Sequence, residues 1–166
     1  MAFVCACCDK DLGEVPTAWG FSAPDYWGAT GVGGDSFLED ELCCIETPAV
    51  DELHFFIRGL IEVPVRGSAD PLTYNIWVSL SPANFERAVN RWDDPDRAQE
   101  PPYFGWLSNN IPGYPDTIQL KTMVHTRGPG RRPLIELEPT DHPLAREQRD
   151  GIEAHRLLAV AEVCGG

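Results

Sequence analysis

The fold of this chain is decided by two runs of sequence, Phe55-Phe-Ile-Arg-Gly-Leu-Ile-Glu-Val-Pro-Val65 and Tyr74-Asn-Ile-Trp-Val-Ser-Leu-Ser81. In each run every second residue is apolar or small, and the residues between them are mixed in character. This alternation is typical of a β-strand that buries one face. The connection between the runs is rich in Gly, Ser, Asp and Pro, which favour turns. The sequence therefore predicts a β-hairpin at the centre of the fold.

Elements after the hairpin extend this core. A helix is predicted over residues 82–92, because Ser81 is a favourable N-cap and Pro82 suits the first helical position. Alternating residues over Thr117–Thr126 and Arg132–Glu138 predict two further strands on either side of a Gly-Pro-Gly turn. We expect these strands to join the hairpin in an antiparallel sheet.

The C-terminal part predicts two helices. Asp141 or His142 caps the first, which starts at Pro143 and ends before Gly151. The second runs over about residues 152–163 and directs apolar side chains towards the sheet.

The segment Tyr103–Pro115 is dense in aromatic residues, Gly and Pro. It is expected to be a loop packed over the sheet edge, because aromatic loops pack more often than they bind ligands. A role as the wall of an aromatic pocket is the alternative.

The chain is accordingly expected to form one α+β domain. Its predicted parts are an irregular acidic segment with cysteines (1–54), a sheet core with one inserted helix (55–138) and C-terminal helices (139–166). The expected fold class is an antiparallel sheet of four or more strands with two or three short helices and an N-terminal segment that resembles a zinc knuckle. At 166 residues, such a domain buries roughly 70% of the surface of its unfolded chain.

The net charge of the chain limits the classes of partner that it is expected to bind. The net charge is −13, and residues 1–57 hold eleven acidic residues against the single Lys10. Such a negative field repels phosphates, which argues against nucleic acid and anionic membranes as partners, whereas a basic protein or a small molecule is compatible; the alternative is that the charge serves only solubility. No apolar run approaches the roughly 20 residues of a membrane span, and the start lacks the pattern of a secretion signal. A cytoplasmic location is expected.

The cysteines point to a metal. Cys5 and Cys8 have the C-x-x-C spacing that lets two thiolates bind one ion from a tight turn, and a structural zinc site needs two more ligands. Cys43 or Cys44 is the candidate for the third ligand. His54, a nearby carboxylate or water is the candidate for the fourth.

Two alternatives stay open for these cysteines. They are either reduced thiols without a metal, as is usual in a cytosolic protein, or redox-active thiols. A reactive thiolate needs a positive neighbour, and only Lys10 is close in sequence among several acidic residues. Redox chemistry is therefore the least favoured of the three interpretations.

Catalytic candidates come from the mixed face of the sheet and from one helix start. The mixed face could gather a base, an acid and a cation, in the set Arg58, Glu62, Trp77, Ser79, Lys121 and His125. Of these, Arg58, Glu62 and His125 are the residues that catalysis would use, and His142 at the helix start is a further candidate. No recognised hydrolase or metalloprotease motif accompanies them.

Motifs along nearly the whole chain resemble a known family. They are Cys5-x-x-Cys8, Glu41-Leu-Cys43, Phe56-x-Arg58-Gly59, Glu62-x-Pro64-Val65, Trp77-Val-Ser-Leu-Ser-x-x-Asn-Phe85, Phe104-Gly-Trp-Leu-Ser-Asn, Tyr114-Pro and Asp141-His-Pro-Leu-Ala-x-Glu-Gln-Arg-x-Gly-Ile152. In these the chain resembles the bacterial family catalogued as domain of unknown function 2199. The resemblance implies a metal knuckle at Cys5 and Cys8, with Cys43 as the later family cysteine, and no reaction. This chain has Asp9 where the family has Gly, and Leu12 near the position of a family His.

Three functional hypotheses follow. The first is a small zinc-stabilised binding or accessory protein, of an immunity-like or regulatory kind, that acts through its acidic or aromatic surface. The second is a metal-dependent or His-based enzyme of a specialised biosynthetic or resistance pathway. The third is a thiol redox protein.

Overall fold

The computed structural model describes residues 2–27, 36–47 and 52–165 of the chain. Within these ranges it has three α-helices, α1 (Pro82–Asn90), α2 (Pro143–Asp150) and α3 (Arg156–Gly165). Its strands over the same ranges are β1 (Ala2–Val4), β2 (Asp11–Glu14), β3 (Ala18–Gly20), β4 (Phe37–Leu38), β5 (Leu42–Thr47), β6 (Glu52–Val63), β7 (Leu72–Leu80), β8 (Tyr103–Leu107), β9 (Lys121–His125) and β10 (Leu134–Leu137).

Five of these strands form a closed, barrel-like sheet. The hairpin β6–β7 is antiparallel from Phe55 opposite Leu80 to Val63 opposite Leu72, which confirms the predicted centre of the fold. Strands β8, β9 and β10 continue from β7 with antiparallel pairings. The sheet then closes because β10 lies parallel to β6, with Leu134 opposite Leu60. The α+β class is confirmed, and its mainly antiparallel sheet contains this one parallel closure.

Three additional strands extend the sheet by pairing with parts of β6 and β7, or with each other, outside the barrel. Strand β3 lies parallel to the first half of β7, and β5 lies antiparallel to the first half of β6, with β4 beyond it. Strands β1 and β2 form a separate two-stranded hairpin.

The barrel interior is the main core. The hairpin face predicted to be apolar lies inside it, where Ile57, Ile61, Val63, Ile76 and Val78 are buried. Each of the two hairpin strands, β6 and β7, therefore buries the alternate residues that its sequence pattern indicates.

A second, smaller core lies on the opposite face of the hairpin. Cys43, Ile45, Phe56 and Trp77 are buried there beneath Phe21, Tyr26, Trp27 and Leu38. Trp77 belongs to the predicted mixed face, yet it is completely buried, because the chain around Phe21 covers it and the Phe21 carbonyl accepts a 3.0 Å hydrogen bond from its indole nitrogen. The sheet is thus covered on both faces in this region.

The three helices confirm the predicted number. Ser81 caps α1 by accepting a hydrogen bond from the backbone of Asn84, and His142 caps α2. Helix α3 starts at Arg156, four residues later than expected. In the described part of the chain no helix has the length and apolar character that a membrane span requires.

Two segments contain strands that the sequence did not predict, and the strand predicted over Thr117–Thr126 is shorter than expected because β9 begins at Lys121. Residues 1–54 are predicted to be irregular, but strands β1 to β5 lie within them. The segment Tyr103–Pro115 is predicted to be a loop, but it begins with strand β8. These strands are only two to six residues long, so they show too few alternations for a period to be recognised.

Candidate metal centre

The N-terminal cysteines lie in a tight turn between β1 and β2. The Asp9 amide donates a 2.8 Å hydrogen bond to the Cys5 carbonyl, and the Cys5 amide donates one of 2.9 Å to the Lys10 carbonyl. Asp9 has a backbone φ of 56°, in the left-handed region that Gly and Asp tolerate best. This geometry gives a physical reason for the Gly that the resemblance implies at this position and for Asp as its replacement here. The turn directs its thiols towards the C-terminal part of the chain.

His155 reaches this turn from the residues before α3. Val65, two residues after the end of β6, forms an isolated parallel bridge with Ile152, and the Arg66 amide donates a 2.9 Å hydrogen bond to the Ile152 carbonyl. The Arg66 side chain adds a 2.6 Å bond to Glu153 and a 2.9 Å bond to the Asp150 carbonyl. These contacts fix the chain just before His155 against the end of β6.

Four potential ligand atoms converge as a result. Cys5, Cys7, Cys8 and His155 each contribute one atom, and these atoms all lie within 4.8 Å of one another. The His155 Nδ1 is 3.2 Å from the Cys5 Sγ and 3.3 Å from the Cys7 Sγ, and the two sulfurs are 3.3 Å apart. Cys5 is buried, whereas the other three residues are exposed. The group is therefore able to hold a metal ion near the protein surface.

The contacts within the group give the Cys5 and Cys7 thiols different pKa values. Burial acts to raise the pKa of Cys5, but hydrogen bonds from the Cys7 backbone, from His155 and from the Cys7 thiol outweigh it and lower that pKa to about 6. The hydrogen bond with Cys5, aided by burial, raises the pKa of Cys7 to about 12. Of these two thiols, Cys5 is thus the one that more readily supplies a thiolate for a metal bond.

The structure places the four predicted metal ligands in two different regions. Cys5 and Cys8 belong to the convergent group, whereas Cys43 and His54 lie outside it. Cys43 is buried in the second core opposite Phe56, and burial together with the neighbouring Cys44 raises its pKa to about 12. His54 lies on β6 with its side chain about half exposed, and its Nε2 is 3.9 Å from a Glu52 oxygen.

Sequence reasoning missed His155 and did not use Cys7 as a ligand. The His155 residue is separated from Cys5 by 150 positions, so no local spacing connects the two. Cys7 was overlooked because the C-x-x-C spacing selects its neighbours. His155 is the last of four histidines in the chain, and no motif in the sequence assigns it a role, so its presence alone could have suggested a ligand.

Two of the catalytic candidates share a cleft. Glu62 and His125 both line a cleft of about 390 Å³ between β6, β10 and α2. The His125 Nε2 is 3.2 Å from an oxygen of Glu136, which also lines it. Arg58 is not part of this lining: its guanidinium carbon lies 5.7 Å from the centre of the Trp77 ring.

His142 has a structural role. Its Nδ1 accepts a 3.1 Å hydrogen bond from the Leu144 amide at the start of α2. Its Nε2 lies 3.1 Å from the Pro115 carbonyl and 3.2 Å from the Asp116 carbonyl, so this nitrogen carries the proton. The ring therefore joins α2 to the loop before β9.

The fold and this site define a small α+β protein with a barrel-like sheet and a Cys₃His group able to bind a metal ion. A family model described as an uncharacterized protein conserved in bacteria (DUF2199) matches residues 4–152. The chain therefore belongs to this bacterial family, as its motifs predicted. The match includes the three N-terminal cysteines and ends three residues before His155. No curated protein and no solved structure matches the chain.

Proposed function

We propose that this chain is a zinc-stabilised binding or accessory protein rather than a metal-dependent enzyme. The observation that carries the proposal is the convergence of three sulfurs and one imidazole nitrogen within 4.8 Å. Thiolate and imidazole together suit zinc, whereas magnesium and calcium prefer oxygen ligands. In a tetrahedral zinc site, ligand atoms lie roughly 3.5 to 3.8 Å apart, so the separations of 3.2 to 3.3 Å among Cys5, Cys7 and His155 need only a small outward movement.

The number of protein ligands supports a structural role for the zinc. Structural zinc sites have four protein ligands, whereas catalytic sites keep one position open for water or substrate. Cys5, Cys7, Cys8 and His155 would fill all four positions. The zinc would then join the β1–β2 turn to the start of α3.

The acidic surface supports a basic protein partner of a regulatory or immunity-like kind. Glu39 and Asp40 are exposed at the turn between β4 and β5. Asp9, Asp11 and Glu14 are exposed in or near the β1–β2 turn that carries the cysteines. Their field would accelerate association with a positively charged partner, and added salt would weaken it.

The central experiment is elemental analysis of the purified, untagged protein. The wild type is expected to hold about one zinc per chain. Cys7→Ser and His155→Ala are expected to lose most of it and to unfold at lower temperature. Cys164→Ser is the matched control, because Cys164 lies outside the group. Wild-type protein without metal, or both variants with full zinc, would contradict the proposal.

A His-based enzyme is a second candidate, and the cleft shared by Glu62 and His125 favours it. His125 would act as a general base oriented by Glu136. Hydrolysis of p-nitrophenyl acetate by the wild type, abolished in His125→Ala and retained in His54→Ala, would support this candidate. Equal rates in all three proteins would exclude this role for His125.

A further inference from the structure

A second concave site lies on the outer face of the sheet, away from the metal group. Strands β5 to β8 lie side by side there, and Ile45 and Phe56 form the floor of a pocket of about 450 Å³. Both floor residues are only 2% exposed. Tyr26 and Trp106 are the aromatic walls. This volume lies within the range of about 300–1,000 Å³ that is usual for small-molecule sites.

The wall that carries Tyr26 is held rigidly. Asp25 accepts a 2.9 Å hydrogen bond from the Asn109 side chain and one of 2.8 Å from the Asn110 amide. Asn109 is fully buried, and its side-chain oxygen accepts a 2.8 Å bond from the Trp77 amide. The position of Tyr26 is therefore set by bonds that reach the centre of the sheet, and a ligand would not need to order this wall.

Gln119 completes the pocket in an unusual backbone conformation. Its φ is 71°, which costs free energy for a residue other than Gly. Its amide donates a 2.8 Å bond to the Leu107 carbonyl, and its side-chain nitrogen donates a 2.6 Å bond to the Tyr26 hydroxyl. The Tyr26 proton and the Gln119 side-chain oxygen remain able to bond to a ligand.

The chemistry of the lining selects the ligand. The polar residues of the lining are His54, Ser79 and Gln119, together with the Tyr26 hydroxyl, and no Asp, Glu, Lys or Arg of the described chain lines the pocket. A charged ligand would lose hydration without gaining an opposite Asp, Glu, Lys or Arg charge from this described lining. A flat aromatic ring would gain contact with Tyr26, Phe56 and Trp106.

We propose that this pocket binds an uncharged, planar aromatic or heteroaromatic small molecule that both donates and accepts hydrogen bonds. The aromatic ring packs against Trp106 and Phe56, and the polar group bonds to Gln119 and the Tyr26 hydroxyl. This proposal rests on the proposed binding function and names the class of ligand, but it does not require the metal group.

Benzamide is a suitable probe, because it combines an aromatic ring with an uncharged donor and acceptor. NMR titration of the purified protein should show saturable shifts of the Trp106 indole N–H and the Gln119 side-chain amide. Cyclohexanecarboxamide has the same polar group without the aromatic ring, and benzoate has the ring with a charge. Both should bind at least roughly tenfold more weakly.

Two variants and one control locate the binding. Trp106→Ala should weaken benzamide binding roughly tenfold. Leu158→Ala is the control, since Leu158 is exposed on α3 and does not line the pocket, and it should bind within about twofold of wild type. Gln119→Gly removes the polar group, and the backbone conformation favours Gly, so it should fold well and bind severalfold more weakly.

Zinc content is measured on the same samples, so that the two proposals are tested separately. Absent or equal binding of the three probes, or wild-type binding by Trp106→Ala, would overturn the assigned pocket and its ligand class even if zinc is present. Missing zinc with intact benzamide binding would overturn only the structural zinc.

Discussion

The Nδ1 atom of His155 lies 3.2 Å from the Sγ atom of Cys5, although 150 positions separate the two residues in the chain. A metal bound there would connect the first turn of the protein to the residues before its last helix. It would act as a cross-link that closes almost the whole chain.

Removal of the proposed zinc should therefore loosen both ends of this cross-link. After chelation, hydrogen exchange is expected to increase first in β1–β2 and in residues 152–156, while β6 and β7 stay protected because they form the centre of the barrel. The chain-entropy estimate for a cross-link that closes a loop of this length is about 5 kcal/mol of lost stability. Uniform exchange over all strands, or no change at all, would contradict a local cross-link.

Barrel closure should be sensitive to Gly105. A Cβ atom at this position would lie 2.5 Å from the Ser79 carbonyl oxygen and would clash with Val78, so the strands β7 and β8 would have to separate. Gly105→Ala is expected to lower the free energy of unfolding by about 1–3 kcal/mol in urea titrations. Gly128→Ala is the control, because a Cβ there meets no atom within 4 Å. Equal stability of the two variants would contradict this account of the closure.

His142 should contribute to stability rather than to catalysis. His142→Ala removes the acceptor for the Leu144 amide and is expected to cost about 1 kcal/mol in thermal or urea unfolding. His142→Asn keeps a good capping group and should recover part of this loss. A His142→Ala protein as stable as wild type would show that the cap contributes nothing.

Glu100 should make stability depend on acid pH. Its carboxylate, 2% exposed, bonds to Arg87 and Arg91, each at 2.7 Å. The hydrogen bond from Arg87 lowers the pKa of Glu100 against the opposing effect of burial. Since the folded-state pKa is depressed, this stabilisation is complete above the ordinary glutamate pKa of about 4.3 and is lost as the pH falls through the lower folded value.

Glu100→Gln tests this dependence. The variant should be less stable than wild type at neutral pH, and the difference should shrink as the pH falls to about 3. Urea midpoints measured across this range check the prediction. A difference that stays constant with pH would assign the effect to packing instead.

Local patterns predicted the parts of the fold that depend on sequence neighbours. The hairpin β6–β7 and helix α1 follow from residue alternation and from the cap at Ser81. The parallel closure of β10 onto β6 could not be predicted in this way, because it depends on contact between distant residues. One example is Gly59, where a Cβ would lie 2.6 Å from the Ile135 side chain.

The same distinction between local and distant contacts explains why only part of the candidate site could be predicted. The turn with Cys5 and Cys8 is a local feature, and its spacing indicated a metal. His155 is brought to it by the bridge between Val65 and Ile152, and this tertiary contact leaves no mark in the local sequence. The second core likewise explains why Cys43 is a buried thiol beside Phe56 instead of a ligand in this group.

X-ray absorption at the zinc edge tests the central claim most directly. A Cys₃His site should give about three sulfurs at roughly 2.3 Å and one nitrogen at about 2.0–2.1 Å from the zinc. Any zinc that His155→Ala retains should lack the nitrogen contribution, whereas His54→Ala should leave the spectrum unchanged. Fewer than three sulfurs in the wild type, or a nitrogen contribution that is lost only in His54→Ala, would contradict the assignment of Cys5, Cys7, Cys8 and His155.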